Sequence, residues 1–142
     1  MTIAAILKGR EGQIISIGAD ARVSEAIALL ADKRIGALPV LDRGRVLGII
    51  SERDVIYCLA TVGAAALDKP VSEVMTAPAR TVEPGQTALG ALSLMTKRRF
   101  RHLPVVQEDV LVGFVSIGDL VKYRIDKIES EAAAMRDYIQ TA

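Results

Sequence analysis

The chain has 142 residues, 51% of them hydrophobic and 25% charged, which suits one ordinary hydrophobic core or two small ones and excludes a disordered tail. Its 18 Lys plus Arg stand against 17 Asp plus Glu, so no net field gathers nucleic acid or an anionic membrane, and any anion specificity has to be local. A single cysteine, Cys58, and a single histidine, His102, exclude an internal disulfide and a Cys/His metal cage.

The N-terminal "MTIAAILKGREG" has neither the apolar run nor the small-residue cleavage site of a signal peptide, and its "IAAIL" is expected as a short helix. "QIISI" at 13 to 17 reads as a strand. Val23, Ala26, Ile27 and Leu30 then recur at i, i+3, i+4 and i+7, the stripe of a helix with one buried face. "LPVL" and "VLGII" flank "DRGR" as the arms of a β-hairpin. Pro39 lacks an amide hydrogen, which places it at the start or edge of its strand.

A helix begins at Ser51 and carries Cys58, expected to be buried and chemically inert. The longest charge-free run, Val55 to Leu67, spans 13 residues, short of the roughly 20 needed to cross a bilayer. A cytoplasmic location is the expectation. Residues 67 to 79 have the Gly and Pro punctuation of a linker.

The pattern then returns. At an offset of 65, without a gap from Ile15/Arg80 to Cys58/Tyr123, nine positions are identical, among them Leu38/Leu103, Pro39/Pro104, Val40/Val105, Gly48/Gly113, Ser51/Ser116 and Asp54/Asp119. "RTV" at 80 to 82 repeats the first strand, Ala88, Ala91, Leu92 and Met95 repeat the helical stripe, and "LPVV" and "VLVGFVS" around "QED" repeat the hairpin. The fold class is therefore α+β: two β-α-β-β-α repeats, over 1–66 and 80–142, packed through their sheets with pseudo-twofold symmetry, because one copy alone buries too little surface.

Gly-x-x-Ser-x-x-Asp occurs in both copies and supports two readings. Ser followed three residues later by an acid is a helix capping box. The same strand-to-helix junction also offers amide hydrogens at a positive helix end to a phosphate, with a carboxylate nearby to accept ribose hydroxyls.

The combination "GALPVLDRGRVLGIISERDVI" and "FRHLPVVQEDVLVGFVSIGDLV", joined by "VSEVMTAPARTVEPG", resembles a tandem pair of CBS domains, the module named after cystathionine β-synthase, standing alone as a Bateman module. The resemblance covers nearly the whole chain. It implies a sensor of adenosine-containing ligands, such as AMP, ADP, ATP, S-adenosylmethionine or NAD(H), held in clefts between the repeats. It implies ribose binding by Asp54 and Asp119, with Ser51 and Ser116 near ribose or phosphate. The adenine pockets would be Ile17, Ala37 and Pro39 in one half, and Val82, Pro104 and His102 in the other.

The halves differ. Arg53 in the first motif, positioned to meet a phosphate, is matched by Gly118 in the second, while "KRRFRH" at 97 to 102 has the neutral "IGA" as the counterpart of its last three residues. Arg101, which can grip phosphate through two parallel hydrogen bonds, and then His102 are the phosphate candidates of that run. Lys97, Arg98 and Arg99 are expected on the exposed end of a helix. One basic run with a single aromatic is a poor nucleic-acid signature.

From Asp119 onward no Gly or Pro interrupts a run of helix formers, predicting one long C-terminal helix. Ile125, Ile128, Ala132, Met135 and Ile139 are spaced 3, 4, 3, 4 along it, a coiled-coil seam that calls for a partner, so a homodimer is expected. No catalytic constellation or phosphate loop is present. The expectation is a non-enzymatic AMP-binding regulator, needing no metal, that acts on another protein. An NAD(H) sensor and a ligand-free scaffold whose motifs only cap helices are the alternatives.

Overall fold

The computed structural model describes residues 1–8 and 14–141. In chain order its elements are α1 (Ile3–Leu7), β1 (Ile17–Gly18), α2 (Val23–Lys33), β2 (Ala37–Asp42), β3 (Arg45–Ser51), α3 (Glu52–Val62), a 3-10 turn (Gly63–Asp68), α4 (Val71–Val74), α5 (Ala88–Arg98), β4 (His102–Gln107), β5 (Val110–Ser116) and α6 (Ile117–Thr141). From α2 onward the 65-residue offset holds at both ends of each matched element except the long last helix. Mixed helix and strand in two β-α-β-β-α copies, closed by a long helix, is the expected class. Among the described residues no helix is long and apolar enough to cross a membrane.

The chain divides into two compact units. One joins Gly12–Glu83 with Leu103–Phe114. Its sheet has the order β1-β2-β3, with β1 parallel and β3 antiparallel to β2. On this sheet α2 lays Val23, Ala26 and Leu30, which join Leu38, Val40, Ile50, Val55 and Val71 in the core. The 3.6-residue stripe read from the sequence is thus the packed face.

The first strand of each copy is shorter than its sequence predicts, and the cause is a proline. Expected at a strand start or edge, Pro39 is instead the third residue of β2, the middle strand. Against β3 it is opposite Ile49, whose N–H and carbonyl pair with Thr76 instead. Toward β1, the parallel ladder is seen best in the second copy, where Val82 N–H donates to the Pro104 carbonyl at 3.0 Å and Val106 N–H to the Val82 carbonyl at 2.8 Å. The preceding rung would need an amide hydrogen that proline lacks. So β1 starts at Ile17, leaving 14–16 outside it, and the second copy keeps only the Val82–Val105 bridge. Gln13, the first residue of the expected strand, lies outside the described residues.

Both hairpins close in two residues, Arg43-Gly44 and Glu108-Asp109, with φ of 52° and 82°, then 51° and 65°. Positive φ at both positions marks the turn whose twist matches paired strands.

The other unit joins Met1–Glu11, Pro84–His102 and Val115–Ala142. Here α5 buries Ala88, Ala91 and Met95, the counterparts of Val23, Ala26 and Leu30. Lys97, Arg98 and Arg99 are exposed at its end. The N-terminal segment, although it precedes the first repeat, pairs with the second: Thr2 bridges Thr87, Ile3 N–H donates to Gln86 O at 2.8 Å, and Ala88 N–H to Met1 O at 3.0 Å. Ile3 is fully buried, and Met1 meets the Tyr123 hydroxyl of α6.

Candidate functional site

Each Ser-x-x-Asp motif stands where a strand runs directly into a helix, β3 into α3 and β5 into α6. Ser51 caps α3: the Asp54 amide donates to Ser51 Oγ at 3.3 Å, and the Ser51 amide donates to Asp54 Oδ2 at 2.9 Å. In the second copy the Asp119 amide donates to Ser116 Oγ at 3.1 Å and the Ser116 amide to Asp119 Oδ2 at 2.7 Å. These are reciprocal capping boxes with Asp in the place more often held by Glu.

The capping also consumes much of the helix end. The first helical amide of α3, Glu52, donates to Gly36 O at 3.0 Å, and that of α6, Ile117, donates to Arg101 O at 2.8 Å. With the Asp amides bound to serine, the amide hydrogen cradle expected for phosphate is narrowed to the middle amides of the turn, those of Arg53 and Gly118.

Asp54 has more partners than its cap. Ser51 Oγ donates to its Oδ2 at 3.0 Å and Thr76 Oγ1 to its Oδ1 at 2.9 Å. A carboxylate offers about four acceptor positions, so three donors leave room for one more without displacement. A ribose diol brings two hydroxyls and would have to replace one hydroxyl now on Asp54.

Thr76 lies in the segment read as a linker, and sequence reasoning missed it. Its backbone pairs with Ile49, by Ile49 N–H to Thr76 O at 3.0 Å and Thr76 N–H to Ile49 O at 2.8 Å, so the linker forms a bridge along the open side of β3. Gly48 makes that approach possible: a Cβ there would stand 2.6 Å from the Thr76 carbonyl oxygen and 2.9 Å from Met75 Sδ. The glycine of the first motif therefore serves linker contact within β3, not the strand-to-helix junction. At the same offset the counterpart of Thr76 is Glu11, outside the described residues.

The other predicted residues fall into two groups. Ile17, Ala37, Pro39, Val82 and Pro104 are all buried strand-region residues. Arg53 and Arg101 are exposed and His102, which opens β4, is half-buried. Gly118 has room for a side chain, since a Cβ would meet Ser116 Oγ at an ordinary 3.6 Å. Cys58, expected to be buried, is half-exposed, because of the residues of α3 only Val55 is fully buried. A pocket of about 220 Å³ between Met1, α5 and α6 is lined mostly by apolar side chains, Leu89, Leu92 and Leu120 among them, and includes neither Ser116 nor Asp119. No group of three or more His, Cys, Asp or Glu among the described residues is placed to hold a metal ion.

The model of the CBS domain matches residues 11–61 and 71–126, each spanning one copy of the repeat. The chain belongs to the CBS-domain family. Among curated relatives it is 31% identical to the mitochondrial CBS domain-containing protein CBSX3 of Arabidopsis thaliana, over 98% of this chain and 72% of that one. Among solved structures, a protein with CBS domains from Burkholderia ambifaria MC40-6 superposes with a TM-score of 0.82 at 40% identity, covering 89% of this chain and 95% of that one. CBSX2 in complex with AMP superposes with a TM-score of 0.75 at 23% identity, covering 88% and 96%; at that distance the likeness is one of fold. Each matched span contains one hairpin and one Ser-x-x-Asp motif at its strand-to-helix junction.

Proposed function

We propose that this CBS pair is a non-catalytic regulatory module that binds an adenine nucleotide, AMP foremost, works as a homodimer and signals to a partner protein. The observation that carries the reading is the Asp54 carboxylate, half-buried at a helix start beside Ser51, exposed Arg53 and Thr76. Asp54 would take the ribose diol, exchanging the Thr76 or Ser51 hydroxyl for a ribose hydroxyl. Arg53 and its amide would meet the phosphate, and Asp119 with Ser116 would serve the second copy, where Arg101 or His102 supplies the cation. AMP is the first ligand to test because CBSX2 carries it on the same fold.

A ligand that contacts two packings of the module unequally shifts the balance between them by that difference in affinity, and this shift is the signal passed on. The capping geometry of both motifs favours a second reading, an interaction scaffold in which Ser-x-x-Asp only closes helix ends.

Thermal unfolding with AMP, ADP, ATP, S-adenosylmethionine or NADH separates the two. A ligand at 100 times its Kd stabilises the native state by about 2.7 kcal/mol, which raises Tm by roughly 5 to 10 °C for a chain of this size. A shift of that order with an adenine nucleotide is expected. No shift with any of the five leaves the scaffold reading standing.

A further inference from the structure

From Val121 to Ile139, α6 presents an apolar stripe that the other described residues leave open. Val121, Ile125, Ile128, Met135 and Ile139 are 41%, 49%, 50%, 61% and 67% exposed, and Ala132 between them is exposed as well. At about 100° per residue, the stripe is centred about 100° from Leu120 and about 160° from Tyr123, which line the pocket between Met1, α5 and α6. The face that packs on the body is thus a different face of the helix.

The spacing 4, 3, 4, 3, 4 makes Ile125, Ala132 and Ile139 heptad a positions and Val121, Ile128 and Met135 d positions. The flanks are then Lys122, Glu129 and Arg136 at e, with Arg124, Glu131 and Tyr138 at g. In a parallel, in-register pair each g residue faces the e residue five positions on in the other helix. Arg124 then meets Glu129 of the second copy and Glu131 meets Arg136, each twice by symmetry. Every charged g position finds an opposite charge.

An antiparallel pair also aligns the stripe, since it reads the same in both directions about Ser130, stacking Ile125 on Met135 and Ile128 on Ala132. Its flanks conflict: Glu129 faces Glu129, Glu131 faces Glu131 and Lys122 faces Arg136. Among the described residues Arg124, Glu129, Glu131 and Arg136 have no ion pair within their own chain that competes. From this complementarity we infer that α6 is a self-association element, joining two copies of the chain in a parallel, in-register coiled coil. The inference deepens the homodimer part of the functional reading and is independent of the nucleotide.

Sedimentation equilibrium of the full chain tests it, with Glu131→Arg, Arg136→Glu and the double exchange. Wild type is expected as a dimer. Either single change sets like charges against each other at two symmetric places and should weaken the dimer about tenfold or more, while the double exchange restores it. Circular dichroism confirms that the variants fold, as both side chains are exposed.

In an antiparallel pair Arg136→Glu would instead tighten the dimer by facing Lys122, and that result overturns the inference. A dimer indifferent to both single changes also overturns it while leaving the homodimer reading intact, because the contact then lies elsewhere on the protein. A monomer, or an assembly larger than two, contradicts the inference, and a monomer contradicts the homodimer reading as well.

Discussion

Two residues of the first motif work at the limit of their chemistry. Gly48 admits the backbone of Thr76 so closely that a single added methyl group meets the carbonyl oxygen at 2.6 Å. Gly48→Ala should therefore cost about 1 to 3 kcal/mol, the usual penalty of overpacking, and equilibrium denaturation in urea would read it as a lower midpoint. An unchanged midpoint would mean that segment 75–77 yields without cost. Asp54, three residues past the end of the ladder, serves both the cap and Thr76. The role of Asp54 as a cap was legible in the Ser-x-x-Asp spacing, since capping is local and fixed by three residues of sequence separation. The part played by Thr76 was not, because it depends on where a linker 22 residues away returns to the sheet. Only the contact, and no periodicity or turn residue, marks it.

At the scale of elements the repeat was readable almost to the residue. The stripes of α2 and α5 and both hairpins were in the alternation and the 3.6-residue periods, because each is a local pattern with one buried face. What escaped was the length of the opening strands. Their sequences suit a strand, but each depends on a rung that Pro39 or Pro104 cannot supply, and that is a property of the neighbouring strand. The hairpin turns differ in quality in a way that can be measured. Arg43-Gly44 has glycine at the second positive-φ position, whereas Glu108-Asp109 holds two side chains at φ of 51° and 65°. Asn-Gly is the preferred pair for such a turn. Glu108→Asn combined with Asp109→Gly should stabilise the protein by about 1 kcal/mol, seen as a rise in Tm of a few degrees in a calorimetric scan. A fall would mean that one of the two native side chains makes a contact worth more than the strain relieved.

For the whole molecule, duplication supplies two Ser-x-x-Asp sites that are alike in their caps and different around them. Arg53 has no counterpart at Gly118, and Arg101 and His102 have none at Gly36 and Ala37. The two sites should therefore bind one nucleotide with different affinities. The measurement that bears most directly on the account is isothermal titration of AMP into the wild-type protein and into Asp54→Glu, Asp54→Asn and Asp119→Asn. Glutamate at position 54 keeps a capping carboxylate while moving it away from the ribose, so the variant should stay folded and lose the first site. Each asparagine exchange should remove one site and leave the other. AMP binding by the wild type, lost site by site in this way, is the predicted result; no heat of binding at millimolar AMP, or binding undiminished in all three variants, would contradict the assignment of Asp54 and Asp119 to the ribose.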